Sequence, residues 1–358
     1  MAKGVYIGVN GVSRKIKNGY IGVNDVARKI KKVYIGDENG IARLCYESNL
    51  SYITFRSPSS FTLKVNDATK HWNGTLEYST DTSTWSTWDG TTTLSSATRG
   101  SNNVLYMRGT GNTIITGNNN KYKWVLTGSD ISCIGNIENL LDYAIVESGA
   151  HPQMANYCYE DMFSGCTALT QAPALPATTL TTYCYSGMFY GCTALTQAPA
   201  LPATTLATNC YRSMFDSCRS LTQAPALPAT NLQSYCYRSM FRDCTSLTQA
   251  PALPATTLAT YCYESMFRGC TSLTQVPALP ATTLASKCYR WMFYGCFKIE
   301  LSKTKTGEYT VVYRIPITGT GTTATDALTS MFTSTRGTFT GTPEINTTYY
   351  LSNTNTVV

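Results

Sequence analysis

A unit of 26 residues recurs six times between Tyr157 and Leu301, and no other feature of the chain restricts its fold as strongly. Cys158, Cys184, Cys210, Cys236, Cys262 and Cys288 open the copies, and a second cysteine follows eight residues later at Cys166, Cys192, Cys218, Cys244, Cys270 and Cys296. The wording C-Y-x-x-M-F-x-x-C-x-x-L-T-Q-A-P-A-L-P-A-T-T-L barely changes from copy to copy. A period in this range defines a solenoid, in which each copy buries its apolar face only against its neighbours.

Within a copy the first half reads as a short helix. At 100° per residue Cys158, Tyr159, Met162, Phe163 and Cys166 share one arc, and Glu160, Asp161, Ser164 and Gly165 take the other. From Leu169 onward Pro173 and Pro176 exclude helix and give an extended, partly polyproline path. Stacking such copies predicts a curved, right-handed coil with helices outside and strands inside.

The elements M-F-x-x-C-T-x-L and L-P-A-T-T-L resemble the BspA-like bacterial leucine-rich repeats. That resemblance implies a leucine-rich-repeat solenoid and a surface or adhesion role.

Twelve of the 14 cysteines stand in the two repeat columns. Cysteine is small, apolar and commonly buried, so one per copy in each column fills the narrow space between stacked units. Two cysteines eight apart on one helix lie about 12 Å from each other, too far for a bridge within a copy. Zinc is disfavoured because no C-x-x-C occurs and His71 and His151 both precede the repeats. With no apolar signal core at Met1–Tyr6, free buried thiols are expected.

Upstream, residues 1–45 form a smaller repeat in which Tyr6-Ile7-Gly8-Val9-Asn10, Tyr20-Ile21-Gly22-Val23-Asn24 and Tyr34-Ile35-Gly36 recur every 14 residues. β-prone runs around Asn-Gly or Asn-Asp read as hairpins. Nine Lys or Arg against three Asp or Glu give this arm +6 of the chain's net +7. Nucleic-acid binding is not expected, because the basic residues alternate with Ile, Val and Gly and no aromatic platform accompanies them. The wording Y-I-G-V-x-G-V-x-R-K-I-K resembles N-terminal modules of phage and prophage structural proteins of gut bacteria, which implies a virion-attachment segment.

Residues 46–130 alternate inward and outward side chains, as in Phe61–Val65, Leu76–Ser79 and Val104–Arg108, with Gly-containing turns between them, and predict an antiparallel β-sandwich. Of Trp72, Trp85, Trp88 and Trp124, at most one is expected at the surface, since Trp85 and Trp88 occupy opposite pleat faces. Residues 131–301 comprise an N-terminal cap, Ile131–Asp142, and the solenoid. Residues 302–358 add an insertion, with Tyr309–Ile315 as its clearest strand, and a degenerate seventh copy at Ser330-Met331-Phe332 that closes the stack. The expected fold class is thus multi-domain, β-rich plus an α/β solenoid.

Catalytic signatures such as G-x-S-x-G, H-E-x-x-H or a phosphate loop are missing, so no enzyme and no cofactor are expected, and no apolar run is long enough for membrane insertion. Binding has more support. The core letters hold while outward pairs differ, and the later copies collect Arg212, Arg238, Arg242, Arg268, Arg290, Trp291 and Tyr294, residue types enriched in binding hot spots. Freely drifting solvated positions are the plain alternative, and the competing surface is the inner face, whose row of Gln197, Gln223, Gln249 and Gln275 suits an extended polymer. The reading is a phage or prophage virion protein, tail-fibre- or adhesin-like, with residues 1–45 joining other virion proteins and the solenoid meeting a host-surface glycan or protein. A homotrimer is an admissible assembly for it. The alternatives are a bacterial cell-surface adhesin and a glycan-degrading enzyme.

Overall fold

The computed structural model describes residues 51–118, 120–316 and 326–358, together with the backbone of six strands within residues 6–47. The chain divides into two compact units, Met1–Ser51 and Tyr52–Val358. In the first, three antiparallel hairpins pair Tyr6–Val9 with Val12–Lys15 (β1, β2), Tyr20–Val23 with Val26–Lys29 (β3, β4) and Lys32–Gly36 with Ala42–Glu47 (β5, β6). Val9 stands opposite Val12, with Asn10 and Gly11 between them in sequence. The expected solvated face of basic side chains lies outside the described residues.

The second unit begins with two sheets. Strands Ile53–Ser57 (β7), Thr62–Val65 (β8), Thr75–Ser79 (β9), Ser86–Trp88 (β10), Leu94–Ser95 (β11), Ala97–Arg99 (β12), Asn102–Thr110 (β13), Trp124–Thr127 (β14) and Ile131–Ile134 (β15) follow in order. One sheet runs β10-β9-β13-β7-β15, with β12 beside β13, and the other runs β11-β8-β14. Alternation aims Phe55, Leu105 and Leu76 from one sheet and Leu63, Val65 and Trp124 from the other into a shared core. Trp72, Trp88 and Trp124 are buried there, with ring centroids 5.0 Å and 5.5 Å apart. Trp85 is half-buried on the outside, under the Arg108 guanidinium.

The repeats do not form an α/β solenoid with outer helices. Apart from the two helical residues Asp326 and Ala327, the one α-helix among the described residues is Asn139–Glu147 (α1), which precedes the copies. Each supposed helix is a run of overlapping β-turns with a positive φ at every fourth residue: Tyr157, Asp161 and Gly165 in copy one, then Tyr235, Ser239 and Asp243 in copy four. Turn bonds such as Met188 N–H to Tyr185 O close each corner (3.3 Å). Every second residue, corners included, donates outward to the next copy, as Tyr159 N–H does to Cys184 O (2.9 Å) and Phe163 N–H to Met188 O (2.9 Å).

The physical reason is that an α-helix satisfies its own backbone and is about 10 Å across, whereas coils stacked at a β-type spacing of about 4.8 Å must spend alternate N–H groups on the neighbour. The sequence pattern, two residues in and two out, fits a period of four as well as a helix over so short a run. Left-handed backbone is cheap for Gly, Asn and Asp. At Gly187 the Asp161 carboxylate fills the space a side chain would take, with Oδ1 2.0 Å from where a Cβ would lie.

Stacking carries every inward residue into a column. Phe163, Phe189, Phe215, Phe241, Phe267, Phe293 and Phe332 run in register with centroids 5.4–5.8 Å apart, and Tyr159 to Tyr289 do the same at 5.6–6.0 Å. Such offset ring pairs add about 0.5–1.5 kcal/mol each beyond burial. The second cysteine column serves the backbone, because Cys192, Cys218, Cys244, Cys270 and Cys296 each aim Sγ at the Phe carbonyl of the preceding copy (3.0–3.1 Å).

The extended legs form two parallel ladders, one through the Gln row and one through Thr179, Thr205, Asn231, Thr257 and Thr283, each with one rung per copy. The Gln ladder starts where Leu169–Gln171 (β16) pairs β15, so the upstream sheet runs straight into the solenoid. Gln171, Gln197, Gln223, Gln249 and Gln275 continue it. Gln275–Val276 (β17) ends against Thr356–Val357 (β22). The intervening strands Glu300–Ser302 (β18), Tyr309–Arg314 (β19), Arg336–Gly337 (β20) and Thr348–Ser352 (β21) make a closing sheet.

Both stack ends are capped. Ile115, Thr116 and Trp124 bond the carbonyls of Cys158, Glu160 and Met162 at the first coil. At the other end Tyr289, Trp291 and Phe293 donate to Ala327, Thr329 and Met331 of the seventh copy, where Ala327 and Thr335 replace the two cysteines. No helix among the described residues is long and apolar enough to cross a membrane.

All twelve repeat cysteines are free and buried. Burial pushes the thiols of Cys184, Cys236 and Cys288 up to about 12 and that of Cys166 up to about 11, so the reactive thiolate is scarce at neutral pH. An aromatic disulfide reagent is therefore expected to label none of the twelve in the native protein and all twelve after denaturation without reductant. Six disulfides in the non-reduced, denatured protein would contradict this structure.

Candidate functional site

Four rows of outward residues along the turn segment bear on the site, each stepping by one copy. The first contains Glu160, Ser186, Arg212, Arg238, Glu264 and Arg290, and the second Asp161, Gly187, Ser213, Ser239, Ser265 and Trp291. The third contains Ser164, Tyr190, Asp216, Arg242, Arg268 and Tyr294. The fourth stands just before the first cysteine: Tyr157, Tyr183, Asn209, Tyr235, Tyr261 and Lys287.

Copies four to six bring five of the seven expected residues, Arg238, Arg268, Arg290, Trp291 and Tyr294, into one patch. Arg268 lies over the rings of Tyr294 (4.9 Å) and Trp291 (5.8 Å), and Arg290 covers Trp291 (3.6 Å). Arg238 and Arg290 flank Glu264 from the coils on either side, the latter at 3.3 Å, and the Glu264 side chain is 1% exposed. Arg242 shares the row of Arg268 but is drawn toward the buried Asp216 (2.8 Å) and Asp243 (3.8 Å). Arg212 lies outside the patch, near Glu160 and Asp161, whose carboxyls its charge favours in the ionised form.

Three further members were not anticipated: Tyr235, Tyr261 and Lys287. Tyr235 and Tyr261 stack at 4.5 Å with Arg238 above both, and Lys287 Nζ donates to the Tyr261 hydroxyl (2.7 Å). Their signal is in the sequence, since each directly precedes a repeat cysteine and falls four residues before a Ser or Trp of the second row. A helical projection hides it by rotating these positions away.

The cations differ in what they leave available. Arg238, Arg242 and Arg290 neutralise buried carboxylates, whereas no ion pair engages Arg268 among the described residues, and its guanidinium rests on two half-buried rings. Stacking holds a guanidinium flat with its edge open to an incoming anion or hydroxyl. The opposite end of the face is acidic. Burial and then the charge of Asp161 raise Glu160 to about 7, against the opposing pull of Ser186 and Arg212. Burial outweighs Arg242 at Asp216 and raises it to about 6.

Among the described residues no group of three or more His, Cys, Asp and Glu could hold a metal ion. No family model, no curated protein and no solved structure matches the chain.

Replacing Arg238 by Ala removes one of two cations facing a buried carboxylate and is expected to cost about 1–3 kcal/mol. Arg268→Ala is expected to stay within about 0.5 kcal/mol, and urea melts of the two variants test the contrast.

Glu160 and Asp216 set a pH dependence. Their folded pKa values exceed the unfolded ones, so their ionisation is disfavoured in the fold. That contribution is favourable below about pH 4 and is lost as pH rises toward 7. Glu160→Gln is expected to show a smaller fall in melting temperature between pH 4.5 and 8 than the parent. Parallel profiles would refute the assignment to Glu160.

Proposed function

We propose that the chain is a phage or prophage virion protein, tail-fibre- or adhesin-like, that joins other virion proteins through residues 1–45 and binds a host-surface glycan or protein through the turn face of copies four to six. One observation carries the reading. Within single copies of unchanged core, the four outward rows differ, and their cationic and aromatic members gather in one place. A stacked scaffold of this kind lets surface residues change without disturbing the backbone ladder that positions them. The hairpin arm forms its own compact unit, which suits a separate attachment role.

The triple variant Arg268→Ala, Trp291→Ala, Tyr294→Ala is expected to lose most adsorption to host cells while melting like the parent. Adsorption that survives in a folded triple variant would refute the reading. Deleting residues 1–51 is expected to leave the melting of the remainder unchanged and to abolish incorporation into particles, measured by immunoblot of purified virions.

A further inference from the structure

The opposite face of the coils shows the reverse of the turn face. Gln171, Gln197, Gln223 and Gln249 are exposed, as are the alanines from Ala174 to Ala278 and the threonines from Thr178 to Thr282, yet these rows are the same in all five copies that carry the leg, the sixth having Phe297–Ser302 in its place. Shared ancestry of the copies does not account for this, because the turn rows of the same copies have diverged. Burial does not account for it either, because these side chains face solvent. No charged residue occurs in the leg from Leu to the last Leu of any of the five copies.

A cavity of about 510 Å³ lies over copies three and four, lined by Gln223, Pro225, Pro228, Gln249 and Pro251. Val358 closes it from copy five, where its N–H bonds Val276 O and its carbonyl accepts from Ala278 N–H, both at 2.9 Å. Prolines three residues apart keep the legs from pairing fully. Ala174 and Ala278 give their N–H groups to Gly135 and Val358 at the two ends, but those of Ala200, Ala226 and Ala252 have no partner among the described residues. Across copies two to four the groove thus repeats one amide side chain and one free backbone donor per coil, about 4.8 Å apart.

We propose that this groove binds an uncharged polysaccharide of simple repeat, laid along the solenoid axis. Amide side chains and backbone N–H groups supply the donors and acceptors that sugar hydroxyls need, and the missing charge disfavours nucleic acid and anionic polymers. Identical contacts on every coil suit a polymer of identical units, whereas an ordinary peptide presents a different side chain at each step. Weak contacts repeated along a polymer accumulate by effective concentration. The proposal stands independently of recognition at the turn face.

The test is native gel electrophoresis of the full chain in gels containing dextran, soluble starch or mixed-linkage β-glucan, with heparin as the anionic control. At least one neutral polymer is expected to retard the parent. Gln197→Ala, Gln223→Ala, Gln249→Ala together should abolish that retardation without changing the circular dichroism melt, while Arg268→Ala, Trp291→Ala leaves it intact. Retardation by none of the neutral polymers, by heparin alone, or unchanged in the Gln variant overturns the proposal. So does light scattering that finds a parent oligomer which the Gln variant dissociates, since the face would then belong to a second copy.

Discussion

The hydrogen bond from alternate turn residues to the next coil, as from Phe163 N–H to Met188 O, is the constraint on which the rest of the solenoid depends. It forces a positive φ at every fourth residue and sets the coil spacing, and with that spacing it places the Phe and Tyr rings in offset stacks. The thiols follow from it too. A turn carbonyl such as Phe189 O already accepts from Cys192 N–H within its own coil, and the Cys218 thiol, small enough for the interior, approaches its free side.

The same bond explains why the ends are elaborate. Open coils would leave rows of unpaired carbonyls at one end and N–H groups at the other, edges that invite other chains. The two-sheet module spends Ile115, Thr116 and Trp124 on the first edge, and Trp124 also packs on Phe163, so one strand both satisfies the backbone and covers the ring stack. The seventh copy answers at the far end, where Phe332 extends the Phe column by one ring.

Much of this was legible in the residues. The period of 26 identified the solenoid, and the inward set Cys, Tyr, Met, Phe, Cys is the buried set. The segment around Ser330-Met331-Phe332 stacks on copy six, where Met331 O accepts from Phe293 N–H. The helix was misread because Cys158, Tyr159, Met162 and Phe163 satisfy periods of 3.6 and of four alike over nine residues. What separates the periods is chemical: Asp161, Gly165, Gly187, Asn209 and Asp243 fall at fourth positions, and these types tolerate left-handed backbone. Of the candidate site, the clustering of Arg268, Trp291 and Tyr294 was readable from row membership. The commitment of Arg238 and Arg290 to Glu264 was not, because it depends on neighbours 26 residues away whose burial no local pattern reports.

Each regular coil presents the same upper and lower edge, with the same Gln rung, turn carbonyls and ring pair, so the caps meet an interface that does not depend on how many coils lie between them. Unequal recombination between the nearly identical copies would add or remove whole coils and still leave both end pieces a surface that fits. The gene can therefore change the reach of its product in steps of about 4.8 Å, one rung at a time, without inventing a new contact.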